Sequence, residues 1–223
     1  MYGFYKKVAN YFSLVKFSHT LFALPFALTG FVLALQEPEV HFEWLLLLKI
    51  VGCMFFARNS AMGFNRYADR EIDARNPRTL FREIPSGKIT PSQAVVFVIV
   101  NVVLFLLTAL SINLLCFILG FPALAVLLGY SYTKRYTWLS HYVLGIALGI
   151  APSAAFVALT GYFTPAILVL SCSVFLWSSS FDILYSLSDE EIDRQQGLHS
   201  VPQKFGRVKA MRISLIGHLL LFI

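Results

Sequence analysis

Residues 91–111 read PSQAVVFVIVNVVLFLLTALS, twenty-one consecutive positions without a charged side chain. As an α-helix, about 20 apolar residues match the hydrocarbon thickness of a bilayer. Six further, predominantly apolar stretches take the same reading, at 20–36, 43–63, 113–131, 138–160, 164–186 and 208–223. The chain of 223 residues is 57% hydrophobic and 13% charged, with a mean hydropathy of +0.70, which excludes an ordinary water-soluble domain. Ten-residue segments of alternating polarity, the mark of a membrane β-barrel, are absent. The sequence predicts an all-α, polytopic transmembrane helix bundle forming a single domain over 1–223. Pro25, Pro122 and Pro152 are expected to interrupt three of its helices around a cavity, where neighbouring helices satisfy the freed backbone groups.

Charge orients the bundle. Lys6, Lys7 and Lys16 precede the first span, Arg66 to Lys88 carries Arg70, Arg75, Arg78 and Arg82, Lys134 and Arg135 follow span four, and Arg194 to Arg212 follow span six. The opposite loops contain no arginine, and the first holds Glu37, Glu39 and Glu43. Basic loops stay in the cytoplasm, so the reading is a multi-pass inner-membrane protein with its amino terminus and these loops on the cytoplasmic side. The net charge of +6 is dispersed among short loops, unlike a nucleic-acid-binding module. Cys53, Cys116 and Cys172 are far apart, form no CxxC pair, and read as small core residues.

All five aspartates fall in two short clusters, Asp69 and Asp73 in one, Asp182, Asp189 and Asp193 in the other. Asn65, Asp69 and Asp73 are spaced by four, and Asp182, Asp189 and Asp193 by seven and four, so in a helix each set lines one face. Charged residues at a helix end commonly mark no more than the membrane boundary. Two clusters with the same four-residue step, on one side of the membrane, argue for more. Aligned carboxylates repel unless a cation lies among them, and an oxygen-only set suits a hard divalent ion whose shell is completed by water and phosphate. Asp182 directly follows the apolar run ending at Phe181, where an ionisable group is costly and usually functional. The clusters therefore predict a Mg2+–diphosphate site, with Pro77 ending the first helix and the stretch through Arg82, Pro85, Gly87 and Lys88 folding over an anion.

The pair NxxxDxxxD and DxxYxxxDxxxD, with the Tyr132-Thr133-Lys134-Arg135 loop and the Phe205-Gly206 pair, resembles the UbiA superfamily of intramembrane prenyltransferases over nearly the whole chain. The run from Arg58 through Asn65 to Lys88 is most similar to bacterial 4-hydroxybenzoate polyprenyltransferase-like proteins, including those of menaquinone synthesis. The resemblance implies a nine-helix bundle, of which about seven spans are present here, six complete and part of a seventh, so that the domain is expected to be incomplete at its carboxyl terminus. It also implies Mg2+-dependent transfer of a polyprenyl group from an allylic diphosphate to a small aromatic acceptor in ubiquinone or menaquinone synthesis. Many members have aspartate directly after the motif asparagine, where this chain has Arg66.

On this reading Asn65, Asp69, Asp73, Asp182, Asp189 and Asp193 hold Mg2+ and diphosphate. Lys134 is the leading diphosphate cation, Arg78 and Arg82 close over the phosphates, and Tyr185, with Tyr130 or Tyr132, faces an allylic cation. Arg58 is placed to bind an acceptor carboxylate or the diphosphate, or to snorkel to the interface. Lys49 has no assigned role. The rival class is a membrane transporter or binding protein for an anionic or lipid substrate, whose site belongs near the bilayer midplane rather than at one rim. The scattered histidines and the absence of HExxH exclude a zinc hydrolase, and a DGxxAR motif of phosphatidyl-alcohol transferases is absent.

Overall fold

Proline and capping side chains set where the helices of this computed structural model begin; it describes residues 9–15 and 23–222. A helical stretch over 9–14 precedes α1 (Leu24–Ala34), α2 (Trp44–Ala68), α3 (Arg70–Arg75), α4 (Pro91–Ile112), α5 (Leu114–Tyr136), α6 (Ser140–Thr160), α7 (Pro165–Ser186), α8 (Glu190–Gln195), α9 (Val201–Phe205) and α10 (Arg207–Leu219). Lys6, Lys7, Lys16, His19 and the first residues of the predicted first span lie outside the described residues. Thr90 and Gln93 form a reciprocal capping box at α4 with Pro91 in the first turn, and the side chains of Asn113 and Thr164 cap α5 and α7. Gly161, at φ 76°, closes α6 in the left-handed conformation that glycine adopts without strain.

Among the described residues five helices are long and apolar enough to cross a bilayer, namely α2, α4, α5, α6 and α7. α1 is apolar but shorter over its described residues, and α10 is followed by a 3-10 turn, Leu220–Phe222. Together they account for the seven predicted apolar stretches. α4 packs on α2, α5 touches α2, α4 and α6, and α6 lies between α1, α5 and α7, with α10 against α7. Close contact between α6 and its neighbours depends on small residues, as expected where lipid offers no hydrophobic drive between helices. A Cβ on Gly30 of α1 would overlap the Pro152 carbonyl of α6, and one on Gly145 of α6 would overlap the Ser179 hydroxyl of α7.

Three expectations need correction. Pro122 and Pro152 lie inside α5 and α6, but Pro25 sits in the first turn of α1, where its missing N–H costs nothing, so it starts that helix rather than breaking it. The three cysteines are not all core: Cys116 is partly buried and packs against the cluster of Ala27, Ile50 and Ala155, Cys53 is partly buried, Cys172 is exposed, and all three line the central cavity. Lys49 also gains a role, because its Nζ donates to the Ser111 carbonyl at 2.7 Å and so satisfies an orphan acceptor at the end of α4.

Candidate active site

Both aspartate clusters are built alike. α2 ends at Ala68, Asp69 takes φ −91° and ψ 6°, and the six-residue α3 restarts at Arg70. α7 ends at Ser186, Asp189 takes φ −107° and ψ 2°, and the six-residue α8 restarts at Glu190. In each, the aspartate at the break accepts the amide four residues on, from Asp73 at 2.7 Å and Asp193 at 2.8 Å. Asp73 and Asp193 are equally buried, each 4% exposed. The second carboxylate face is thus not one helical stripe from Asp182 to Asp193, as its spacing suggested. The hydroxyls of Ser186 and Ser188 donate to the carbonyls of Ile183 and Tyr185, competing with the helix ladder and ending α7 before Asp189. At Pro77 the expectation holds, since Asn76 is extended and ends α3.

Every aspartate has a basic partner. Arg82 pairs with Asp73 at 2.6 Å, Arg78 with Asp189 at 2.6 Å, Arg135 with Asp69 at 3.1 Å, Lys134 with Asp193 at 3.8 Å, and His141 with Asp182 at 2.6 Å. Lys134 and Arg135 are adjacent at the end of α5, yet one turns to each cluster. The end of α5 therefore stands between the two motifs. Asn65 donates to Asp69 Oδ2 at 3.0 Å, which fixes the first carboxylate of its motif. The loop after α3 is folded back: Ile84 and Ile89 bury against Leu14 and Ala94, and Glu83 accepts the Ser13 hydroxyl. Arg66, 4% exposed, lies in the field of Asp73, Glu83, Asp69 and Arg82, so it belongs to the ionic anchor of this loop.

Burial pushes the Asp69 carboxyl above its ordinary range against the hydrogen bond from Arg135, and the Asp73 charge adds to the rise. Burial likewise raises Asp193, opposed by Lys134 and reinforced by Asp189. Both groups are thus held at some cost as anions, and one oxygen each of Asp73 and Asp193 is buried with no hydrogen-bond partner. Among the described residues no three His, Cys, Asp or Glu side chains converge closely enough to enclose an ion. The donor set nevertheless fits a hard divalent cation: it is oxygen only, it carries two unsatisfied buried acceptors, and it lies beside exchangeable cations.

A cavity of about 840 Å³ runs from these motifs into the bundle, between α2, α5, α6 and α7. Asn65, Arg58 and Tyr130 line its motif end, and Ile50, Ile112, Cys116 and Ala158 its far end. Arg58 is the only arginine among the lining residues, and its Nε is buried without a hydrogen-bond partner. Tyr130 lies within the fields of Asp69, Asp182 and Asp193. Tyr185 is elsewhere: it is 61% exposed and does not line the cavity, although its three-residue step from Asp182 puts the two on one face of α7. The Tyr132 ring stacks under the Arg135 guanidinium, 5.2 Å from its centroid. Sequence reasoning missed Arg135 and His141. The Tyr132–Arg135 segment pointed toward the first, whereas the partners of the second are 41 and 60 residues away and leave no local signal.

The family model of the UbiA prenyltransferase family matches residues 23–223. The 4-hydroxybenzoate octaprenyltransferase of Saccharophagus degradans is 35% identical over 164 residues, 74% of this chain and 55% of that protein. The 4-hydroxybenzoate octaprenyltransferase of Citrobacter koseri is 31% identical over 188 residues, 84% of this chain and 65% of that protein. The chain thus spans between about half and two thirds of the length of these relatives. A UbiA homologue from Aeropyrum pernix K1, solved in its apo form, superposes with a TM-score of 0.82 at 30% identity, covering 92% of this chain and 78% of that one. A UbiA homologue from Archaeoglobus fulgidus bound to GPP and Mg2+ shares the fold, with a TM-score of 0.81 at 22% identity, covering 95% and 75%. With its two matched aspartate motifs at the mouth of an apolar cavity, this chain belongs to the UbiA prenyltransferase family.

Proposed function

We infer that the protein transfers a polyprenyl group from an allylic diphosphate to a small aromatic acid resembling 4-hydroxybenzoate, with Mg2+, in quinone synthesis. The observation that carries this reading is the meeting of two like-built aspartate motifs, five basic partners and a long apolar cavity at one end of the bundle. The relatives named as octaprenyltransferases supply the acceptor and donor classes, and the Archaeoglobus neighbour supplies the precedent of a prenyl diphosphate with Mg2+.

Asn65, Asp69, Asp73, Asp182, Asp189 and Asp193 would hold the ion, which supplies charge neutralisation of the leaving diphosphate. Arg78, Arg82, Lys134 and Arg135 are each paired with a carboxylate and can exchange it for a phosphate oxygen, an anion that matches a guanidinium equally well. The allylic carbon–oxygen bond breaks, the electron pair leaves with diphosphate, and the aromatic carbon of the acceptor attacks the allylic cation before losing its ring proton. Tyr130, on the cavity wall beside both motifs, presents the aromatic face, replacing Tyr185 in that role. The apolar wall excludes water that would otherwise capture the cation. Arg58, whose Nε is buried in this wall without a hydrogen-bond partner, binds the carboxylate of the acceptor.

The basic partners of the aspartates lie at the motif end and Glu37 and Glu43 at the other, which supports a site open to the cytoplasmic side of the inner membrane. A transporter would place its polar groups near the midplane, whereas these gather at one rim. Membranes containing the protein, given labelled allylic diphosphates and a panel of aromatic acids, should form prenylated product only with Mg2+. Absence of product from every acceptor, with the protein folded, would refute the reading.

A further inference from the structure

His141 is buried completely, at the start of α6, and uses both ring nitrogens. Nδ1 lies 2.6 Å from Asp182 Oδ2, and Nε2 lies 3.3 Å from the backbone nitrogen of Val201. An amide N–H can only donate, so Nε2 is the acceptor and Nδ1 carries the ring hydrogen. The imidazole is therefore a fixed donor to Asp182 rather than an acceptor from it. Val201 begins α9, directly after the second aspartate cluster, and is itself fully buried against Ile183 and Ala210. The same segment is held a second time by the His199 amide, which donates to the Lys134 carbonyl at 2.7 Å. Lys134 in turn faces Asp193. One ring thus ties the first aspartate of the second motif to the segment that follows the last.

We propose that His141 is a positioning residue for the second aspartate motif, its Nδ1–H fixing the Asp182 carboxylate for cation binding while its Nε2 anchors the start of α9. The proposal rests on the assignment of Asp182 to the cation site. Ligating carboxylates need such an outer partner to fix their orientation, and losing one costs roughly 10- to 100-fold in metal affinity. A merely space-filling histidine would show no such effect. Asn and Leu separate the two, because the Asn amide retains a donor near the place of Nδ1, whereas Leu fills the volume with none.

Purified protein is titrated with Mn2+ in the presence of inorganic diphosphate, and free Mn2+ is followed by its paramagnetic resonance signal. His141→Leu should raise the half-saturating Mn2+ concentration about tenfold or more, and His141→Asn should stay within about threefold of the wild type. In an Asp182→Asn background the Leu substitution should add nothing, as expected for residues acting through one contact. A folded Leu variant with wild-type half-saturation, or Asn and Leu variants shifted equally, overturns the proposal. Should Leu prevent folding, nitrogen-15 histidine spectra of the wild type decide: a Nδ1–H tautomer whose resonance moves on adding Mg2+ is expected, and a Nε2–H tautomer overturns it. Wild-type protein that binds Mn2+ but forms no prenylated product defeats the transferase reading alone, because the comparison of variants reads binding and not turnover.

Discussion

Asp69 and Asp193 are anionic groups that burial disfavours, and a divalent cation competes with protons for both. Their raised pKa means that the folded state holds these protons more tightly than the unfolded chain. In the metal-free protein the resulting stabilisation is present below the ordinary carboxylate range and is lost as pH rises through the raised values. For the cation the sign reverses, since binding needs the carboxylates ionised. The half-saturating Mg2+ concentration should therefore rise as pH falls, beginning above the range of ordinary carboxylates. A half-saturation that does not change as pH falls toward the carboxylate range would remove these two residues from the cation site. Asp69→Ala and Asp189→Ala should each lower turnover about a hundredfold or more, the loss typical of a group that stabilises developing charge. At Arg58, replacement by Leu removes one charge-assisted bond, worth about 1.5–3 kcal/mol, so KM for the aromatic acid should rise roughly 10- to 100-fold while KM for the allylic diphosphate changes little. Equal changes in both constants would place Arg58 on the diphosphate instead.

At the scale of elements, the transmembrane helices and the two acidic motifs were legible because they depend on apolar run length and on residue spacing, both local properties. The breaks within the motifs were not. Nothing in Leu187 and Ser188 reads as a helix stop in an alignment of apolar and acidic positions, and only the serine side-chain bonds to preceding carbonyls reveal why α7 ends there. Likewise the split of Lys134 and Arg135 toward opposite motifs depends on where α5 ends between α3 and α8, a tertiary fact. The same holds for helix packing. Gly145 reads in sequence as a minor cost within an apolar helix, yet in the bundle a Cβ there would lie 2.8 Å from the Phe175 carbonyl of α7, besides its overlap with Ser179. Gly145→Val should therefore destabilise the α6–α7 contact by about 1–3 kcal/mol, visible as a lower unfolding temperature in detergent. Gly129 in α5 has nothing within 4 Å of its Cβ position, so Gly129→Ala should leave that temperature equal or slightly higher. A tolerated Val at Gly145 would contradict the close α6–α7 approach.

The molecule as a whole separates charge from hydrocarbon along its axis. The aspartates and their basic partners occupy one end, and the cavity behind them is predominantly apolar to its far end. A prenyl diphosphate has the same polarity, so its head and tail are read by different parts of the bundle: the motifs fix the reacting carbon, and cavity length decides how much tail is removed from lipid and water. Cys116 lines the far end and lies eighteen residues, hence about 27 Å of helix, from Lys134 at the motif end. Cys116→Phe fills that end without touching either motif. Each displaced methylene forfeits about 0.8 kcal/mol of burial, so crowding out two should lower kcat/KM for long donors about tenfold. Short donors, whose tails do not reach Cys116, should react as before. The measurement is kcat/KM over a series of allylic diphosphates of increasing length, for wild type and variant. A uniform loss across the series would show that Phe disturbs the bundle rather than its depth, and no loss at any length would place the tail outside this cavity.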